Sequence, residues 1–264
     1  MLEISGIHKT FHPGTVNANH ALKGLSLHLA EGESIAVIGG NGAGKSTLLN
    51  AVAGVWTVDS GSIHLGGIDI THLPEHKRAK YIGRVFQDPM MGTAGIMLIV
   101  ENLALAARRG RRRGLKAGIT KAEREQFRDM LRILDLGLEN RLTDKVGLLS
   151  GGQRQALTLL MATLQKPKLL LLDEHTAALD PKTAAKVMEV TRTLVNRDRL
   201  TTLMITHNMR DAIAYGDRLI MMYEGRIALD IAGEEKQKLT VEDLLAKFGQ
   251  ATGASETTDK LLLG

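Results

Sequence analysis

The sequence predicts an α/β protein, and three of its features support this prediction. Short apolar strands alternate with helices, a glycine-rich turn links one strand to one helix, and helical spacing dominates the middle of the chain. Residues 34–38 are a short apolar run, and residues 46–53 after them have helical spacing. Residues 169–172 are four consecutive leucines, a pattern typical of a strand buried in a parallel sheet.

The first third of the chain indicates strands and turns. Residues 25–29 alternate leucine with polar residues, which is the period of a half-buried strand. Ile63 and Leu65 precede two glycines, which indicates a hairpin. Residues 81–86 indicate a further short strand.

The middle of the chain, residues 90–149, indicates an inserted helical subdomain, because residues 101–107 and 121–136 have apolar positions at helical spacing. Alternation of strands and helices then resumes. The remaining predicted elements are, in chain order, a helix at 153–164, a strand at 169–172, a helix at 183–195, a strand at 201–205, a helix at 208–214, a hairpin of 219–223 with 226–229, and a helix at 241–248.

Composition excludes several classes of function. The 264 residues contain no cysteine, which excludes disulfides, thiol nucleophiles and thiolate-bound metal. Aromatic residues make up 3% of the chain, so stacking platforms for bases would be few. The net charge of +5 can indicate a nucleic-acid or anionic-membrane partner, but a surplus this small more often serves solubility, and we expect no nucleic-acid partner. The longest apolar runs are far shorter than the roughly 20 residues that span a bilayer. The first residues include Glu3 and lack the apolar stretch of a signal peptide, so we predict a soluble intracellular protein.

A phosphate-binding loop is the strongest local signal. The segment GGNGAGKST fits the pattern G-x-x-x-x-G-K-[ST] and lies between a predicted strand and a predicted helix. Glycines let successive N–H groups point at phosphate oxygens, and the helix N-terminus adds a positive partial charge. The alternative is a glycine-rich turn before an ordinary helix. The residues predicted to bind a nucleoside triphosphate are Gly39, Gly40, Asn41, Gly42, Ala43, Gly44, Lys45, Ser46 and Thr47.

Two carboxylates follow the run of leucines. Asp173 and Glu174 emerge at the carboxyl end of a buried strand, where open α/β sheets bind ligands. Asp173 is placed to hold Mg²⁺, and Glu174 is then available to orient or deprotonate an attacking water. The alternative is that both acids cap the next helix.

A third motif, LSGGQ, opens a predicted helix. Its residues Ser150, Gly151, Gly152 and Gln153 present a hydroxyl and N–H groups to an anion, as a helix start can. Alone, this motif indicates no more than a helix N-cap.

Together the three motifs resemble those of an ABC-type ATPase, the nucleotide-binding subunit of ATP-binding cassette systems, and the resemblance runs from about residue 2 to residue 230. Phe11 lies where the family stacks an aromatic ring on adenine. Gln87 matches the glutamine that links Mg²⁺ and the attacking water to the helical subdomain. Asp180 matches the loop that communicates across a dimer, and His207 matches the histidine that contacts the γ-phosphate.

The resemblance implies a fold: a P-loop NTPase core of the RecA-like kind, an antiparallel β subdomain and an inserted α-helical subdomain. Residues 1–89 and 150–230 would form the nucleotide-binding ATPase core. Residues 90–149 would form the helical subdomain that leads to the LSGGQ motif. Residues 231–264 would form a short helix and a tail.

The resemblance also implies a mechanism in which two copies pack head to tail around two ATP molecules. Each ATP would lie between the glycine-rich loop of one copy and residues 150–153 of the other. The implied catalytic residues are Lys45, Gln87, Glu174 and His207. The implied Mg²⁺ ligands are Ser46, Gln87 and Asp173.

One position departs from the family pattern. His175 follows the two acids where the family usually has proline, which places an extra titratable ring near the site. We interpret it as a tolerated surface substitution rather than a catalytic part. The string DEHTAALDP and residues 206–227 resemble a subgroup of importer ATPases described as serving tryptophan, tyrosine or similar small solutes.

Transport is the leading hypothesis for the function, and it requires partners. The resemblance implies polytopic membrane subunits, an extracytoplasmic solute-binding protein and a second copy of the chain as partners. It places the chain itself at the cytoplasmic face of the cell membrane, bound through the membrane subunits. Residues 90–100, rich in methionine and apolar side chains, would receive a cytoplasmic helix of the membrane subunit, or else belong to the core.

Two features of the sequence allow more than one interpretation. The arginine cluster at residues 108–113 either lies near anionic headgroups or is a solvated face. An exporter, a lipid-extraction ATPase or a non-transport ATPase of the same family would share the catalytic residues.

Overall fold

The computed structural model describes residues 1–110 and 118–252. In the arginine cluster, Arg111, Arg112 and Arg113 lie outside the described residues, as does the predicted tail from residue 253 on. The described chain divides into two compact units, the first made of residues 1–78 with the chain from Leu200 on and the second of residues 79–199.

Strands and helices alternate along most of the chain, as predicted. The strands are β1 (Leu2–Phe11), β2 (Asn19–Leu29), β3 (Ser34–Ile38), β4 (Ser60–Leu65), β5 (Ile68–Asp69), β6 (Ile82–Val85), β7 (Leu169–Asp173), β8 (Thr202–Ile205), β9 (Arg218–Tyr223) and β10 (Arg226–Ala232). The helices are α1 (Lys45–Ala53), α2 (Glu75–Arg78), α3 (Ile99–Ala107), α4 (Lys121–Arg132), α5 (Gly151–Thr163), α6 (Pro181–Asp198), α7 (Met209–Ala214), α8 (Gly233–Gln237) and α9 (Val241–Thr252). Short 3₁₀ turns lie at Leu138–Asn140 and Val146–Leu148.

The first unit contains an antiparallel sheet in the order β2-β1-β4-β5. The predicted alternation in β2 is confirmed, because Leu25, Leu27 and Leu29 are buried while Ser26 and His28 are exposed. Strand β3 is buried throughout and pairs in parallel with both β8 and β9. Strands β9 and β10 form the predicted antiparallel hairpin.

The second unit pairs β6 with β7 in parallel, with Ile82 opposite Leu169 and Val85 opposite Leu172. The leucines of β7 are 0% exposed, as expected for a strand buried in a parallel sheet. Helix α5 is buried along most of its length and packs against α6. The predicted α/β class, with its antiparallel sheet, is therefore confirmed.

Several predicted boundaries were wrong. The helix predicted at 121–136 ends at Arg132, because Asp135 (φ 53°) and Gly137 (φ 71°) turn the chain into the left-handed region. The helix predicted from residue 183 begins at Pro181, where the fixed φ of proline suits the first helical position and Asp180 supplies the cap. Helices α2 and α8 were not predicted. Among the helices of the described residues, none has the length and apolar character of a membrane-spanning segment.

A buried arginine donates hydrogen bonds to the carboxyl end of α1. Arg78, 1% exposed, donates to Ala51 O (2.7 Å) and Val52 O (2.8 Å) at that end. It also donates to Leu73 O and Thr71 O. Burial lowers the pKa of Arg78 to about 10, so its guanidinium stays charged at neutral pH. A cation at this position also favours the helix, because the C-terminal end carries a negative partial charge.

We predict that Arg78→Met lowers the free energy of unfolding by about 2–3 kcal/mol, because buried carbonyls lose charge-assisted hydrogen bonds that methionine cannot replace. Urea unfolding measures the change. Lys77→Met, at an exposed position of the same helix, is the matched control and should leave the midpoint unchanged. Equal midpoints for the two variants would contradict the role given to Arg78.

Candidate nucleotide-binding site

The glycine-rich loop lies between β3 and α1, in the first unit. Gly44 has φ 98° and immediately precedes α1. A Cβ atom there would lie 2.5 Å from Ala21 O, so no side chain fits without displacing backbone. Helix α1 has no acidic residue in its first turn, which leaves its N-terminus suited to an anion.

Lys45 is held inside this loop. Lys45 is 8% exposed, and its Nζ donates to Gly39 O (2.7 Å) and Gly40 O (3.1 Å). The ammonium therefore lies within the loop rather than in solvent. Ser46 follows it and is exposed on the first turn of α1.

Phe11, at the end of β1, is half-buried and contacts a second aromatic side chain. The ring centroids of Phe11 and Trp56 are 5.4 Å apart, with the rings nearly perpendicular at 82°. Lys9 Nζ lies 5.7 Å from the centroid of Phe11. Sequence reasoning selected Phe11 and missed Trp56, which is 42% exposed.

His207 is exposed between the end of β8 and the start of α7, also in the first unit. The next residue, Asn208, caps α7, because its Oδ1 accepts hydrogen bonds from Arg210 N and Asp211 N. The backbone that carries His207 is thereby fixed on both sides by regular structure.

Asp173, at the end of β7 in the second unit, has a cationic neighbour that the sequence did not reveal. Arg84 Nη2 lies 3.1 Å from Asp173 Oδ2, and the guanidinium carbon lies 4.5 Å from the centroid of the Phe86 ring. Strand pairing explains the contact, since Arg84 is opposite Leu171 and Asp173 follows two residues later on the same face. The carboxylate predicted to bind Mg²⁺ is therefore already paired on one oxygen.

Glu174 and His175 leave β7 in an unusual backbone conformation. Glu174 has φ 44°, in the left-handed region that costs a non-glycine residue about 1–2 kcal/mol. His175 is 2% exposed, and its Nε2 lies 3.0 Å from Thr191 Oγ1 on α6. The interpretation of His175 as a surface substitution was wrong, because the imidazole is buried among the elements of the second unit.

The LSGGQ segment caps α5. Ser150 Oγ accepts a hydrogen bond from Gln153 N (3.3 Å), and Gln153 Oε1 accepts one from Ser150 N (3.2 Å). This reciprocal pair is a capping box that leaves the hydroxyl hydrogen of Ser150 available to donate. Gly151 is exposed beside it.

Close packing accounts for the second glycine of the segment. A Cβ at Gly152 would overlap the Cγ2 methyl of Thr183 on α6, so a side chain fits there only if Thr183 moves. Thr183 in turn donates its backbone N–H to Oδ1 of Asp180, the exposed N-cap of α6. Hydrogen bonds from the side chain and the backbone of Thr183 lower the pKa of Asp180.

Gln87 is exposed just after β6. The carbonyl of the preceding residue, Phe86, accepts a hydrogen bond from Gln155 Nε2 (2.8 Å), which ties the start of this loop to α5. Gln155 is 0% exposed and was missed by sequence reasoning, because nothing in its spacing distinguishes it from a core residue of the helix.

The predicted site residues thus divide between the two units. Phe11, the glycine-rich loop with Lys45 and Ser46, and His207 belong to the first unit. Gln87, Ser150, Gly151, Gly152, Gln153, Asp173, Glu174 and Asp180 belong to the second. The chemistry of these groups, a phosphate loop on a helix N-terminus together with acids at the end of a buried strand, is that of a P-loop ATPase.

Comparison with known proteins agrees with this class. The family model for the ABC transporter matches residues 22–177. The chain is 45% identical to the tyrosine transport ATP-binding protein of Clostridioides difficile, over 95% of the chain and 100% of that protein. It is 34% identical to the spermidine/putrescine import ATP-binding protein PotA of Shigella flexneri over 94% of the chain, and covers 62% of that longer protein.

Among solved structures, the chain is similar to the ATP-binding cassette MJ0796 in a dimeric, post-hydrolysis state bound to ADP and Pi. The TM-score is 0.74 at 28% identity, with 88% of this chain and 98% of that chain covered. The chain therefore belongs to the ABC transporter family. It is the ATP-binding subunit of such a transporter and hydrolyses ATP.

We predict that stability falls in acid because of His175. Burial lowers the pKa of His175 from 6.5 to about 4, so between these values the unfolded chain binds a proton that the folded chain does not. The stabilising contribution is therefore complete above pH 6.5 and is lost as the pH falls towards 4, at up to about 1.4 kcal/mol per pH unit.

Urea unfolding of the wild-type chain and of His175→Gln, measured at several pH values across this interval, checks the prediction. Glutamine does not titrate, so the difference between the two chains should shrink as the pH falls. A difference that is independent of pH would show that His175 is not held neutral in the folded state.

Proposed function

We propose that this subunit energises an importer of a small amino-acid-like solute, with an aromatic amino acid as the favoured class. The observation that carries the proposal is the 45% identity, over the full length of the relative, to a protein named for tyrosine transport. The similarity to a polyamine importer subunit supports the direction of transport. In this proposal the chain acts at the cytoplasmic face of the membrane, alongside polytopic membrane subunits and an extracytoplasmic solute-binding protein.

In the proposed mechanism, two copies pair and share each ATP. The similarity to a dimeric cassette bound to ADP and Pi supports the pairing. The glycine-rich loop of one copy would hold the phosphates on the N-terminus of α1, with Lys45 countering their charge. Ser150 and the N–H groups at the start of α5 in the second copy would close over the same phosphates, and Phe11 would stack on the adenine.

Magnesium fits the chemistry of its predicted ligands. Ser46 and Asp173 offer the hydroxyl and carboxylate oxygens that Mg²⁺ prefers. Arg84 bonds to Asp173 through Oδ2, and a carboxylate has about four lone-pair sites in all, so acceptor capacity remains. Within residues 1–110 and 118–252, no group of three or more histidines, aspartates or glutamates is arranged to hold a metal ion. Mg²⁺ would take its further ligands from phosphate and water.

When bound, Mg²⁺ would supply charge neutralisation at the phosphates, with Gln87 as a further ligand. The protein's own contribution to hydrolysis is positioning and electrostatic stabilisation. Glu174 would orient or deprotonate the attacking water. Lys45 and His207 would stabilise the charge that develops on the γ-phosphate. The exposed positions of Gln87 and His207 leave both side chains accessible to a ligand.

An apolar patch on the second unit would receive the membrane subunit. Met90 is 63% exposed, Ile96 is 87% exposed and Leu148 is 70% exposed. A backbone hydrogen bond from Gly147 N to Gly95 O (2.8 Å) joins the segments that carry Ile96 and Leu148. Large side chains exposed together in this way mark an interaction surface, here for an apolar cytoplasmic segment of the channel protein.

We predict that Gly44→Ala weakens ATP binding at least tenfold more than Gly42→Ala does. Both glycines have positive φ, so both variants carry similar backbone strain. A Cβ at residue 44 collides with Ala21 O, whereas a Cβ at residue 42 meets no atom within 4 Å, so only the first displaces the loop. Calorimetric titration with ATP measures both affinities. Equal losses would contradict the loop geometry as the source of affinity.

Affinity isolation of the chain from its own membranes tests the transport function. We predict that a polytopic membrane protein is recovered with the wild-type chain, and that Ile96→Asp abolishes this recovery while ATP affinity is retained. Val16→Asp, at a fully exposed apolar position of the first unit, is the matched control and should recover the same protein.

The identity of the recovered proteins decides between the alternatives. A solute-binding protein alongside the membrane subunit supports import, and binding of tyrosine or tryptophan by that protein supports the solute class. Soluble assembly factors, ribosomes or DNA in place of a membrane protein would overturn the transport function and leave the ATPase activity standing.

A further inference from the structure

The imidazole of His175 is buried directly after the proposed catalytic carboxylate. His175 is 2% exposed and bonds to Thr191, which is 0% exposed, in the middle of α6. We propose that His175 is a positioning residue, which fixes the backbone of Glu174 through its hydrogen bond to Thr191. The inference rests on the proposed role of Glu174 in hydrolysis.

The direction of this hydrogen bond follows from the partners of Thr191. Its Oγ1 lies 2.8 Å from Val187 O and 3.0 Å from His175 Nε2. A carbonyl oxygen only accepts, so the single hydroxyl hydrogen of Thr191 is donated to Val187. His175 must then donate through Nε2–H, and Thr191 Oγ1 accepts. The ring is thereby held in one tautomer and one orientation.

The loop after Glu174 is attached to α6 at both of its ends. At its start His175 bonds to the helix, and at its end Asp180 caps the helix by accepting from Thr183 N. Between these points Ala177 N donates to Glu174 O (2.9 Å) and Leu179 N donates to Thr176 O (3.2 Å). The loop therefore consists of hydrogen-bonded turns and is attached to α6 at both ends.

This attachment accounts for the strained conformation of Glu174. Glu174 has a left-handed backbone conformation, which persists only where the surrounding contacts hold it in place. Residues strained in this way cluster at functional sites. The buried side chain of the next residue fixes one end of the strained peptide segment. Helix α6 also packs against Gly152 at the start of α5. The helix that holds the segment after Glu174 is therefore also in contact with the LSGGQ segment.

The test compares variants that break the hydrogen bond with variants that keep it. His175→Leu removes the donor and Thr191→Val removes the acceptor at nearly constant volume. His175→Gln keeps an N–H donor near the position of Nε2, and Thr191→Ser keeps the hydroxyl. We expect the first two to lower kcat for ATP hydrolysis by about 10- to 100-fold, as for a misplaced catalytic group, with the Kd for ATP unchanged. The two conservative variants should retain most of the rate.

Two controls separate positioning from folding. Rates are normalised to the concentration of ATP-binding chain, so partial unfolding does not count as lost kcat. The double variant His175→Leu/Thr191→Val should be no slower than either single variant, because the two residues make one interaction. Additive losses, or a fall in ATP affinity that matches the fall in kcat, would contradict the proposal.

Glu174→Gln distinguishes this inference from the proposed function beneath it. If Glu174→Gln retains normal turnover, the role of Glu174 is wrong and the positioning role falls with it. If Glu174→Gln abolishes turnover while His175→Leu and Thr191→Val hydrolyse ATP at the wild-type rate, the role of Glu174 stands and the positioning role alone is overturned.

Discussion

The proposed nucleotide site depends on a steric constraint at the start of α1, where two backbones approach too closely for a side chain. The carbonyl of Ala21 on β2 lies where the Cβ of residue 44 would be, at 2.5 Å. Glycine at this position lets the chain turn through φ 98° and enter the helix directly, and the ammonium of Lys45 lies within the same loop. The antiparallel sheet therefore shapes the phosphate loop, although none of the sheet's residues belongs to the motif.

Buried cations at the far ends of two helices complement this arrangement. Arg78 bonds to the carboxyl end of α1, and Lys236 donates to Ile213 O, Tyr215 O and Gly216 O at the carboxyl end of α7. Each cation satisfies carbonyls that a helix leaves unpaired at this end. Helix α1 begins with Lys45 and α7 begins just after His207, so the N-terminal ends of both helices lie beside proposed phosphate contacts. Stability is thus supplied away from the proposed phosphate contacts, and the N-terminus of α1, which has no side-chain cap, remains for the ligand.

The sequence predicted the parts of the fold and site that are encoded locally. The loop, the buried leucines of β7 and the hairpin of β9 with β10 follow from spacing and composition within a few residues, and the structure confirms them. The end of α4 was mispredicted because Leu134 is buried beyond the helix, so an apolar residue continued the helical spacing where the backbone had already turned. The pairing of Arg84 with Asp173 joins positions 89 residues apart and depends on strand register, which no local pattern specifies.

His175 shows why the direction of a side chain is harder to predict than the motif that contains it. A residue that follows two acids at the end of a strand is ordinarily expected at the surface. Here the left-handed turn at Glu174 redirects the next side chain inward, where Thr191 on α6 accepts its hydrogen bond. Thr191 already donates its hydroxyl hydrogen to Val187 O, so its oxygen can only accept a further hydrogen bond. Histidine with a hydrogen on Nε2 supplies that bond, whereas a side chain that only accepts cannot. The residue that departs from the family pattern is therefore matched to its partner on α6, sixteen positions along the chain.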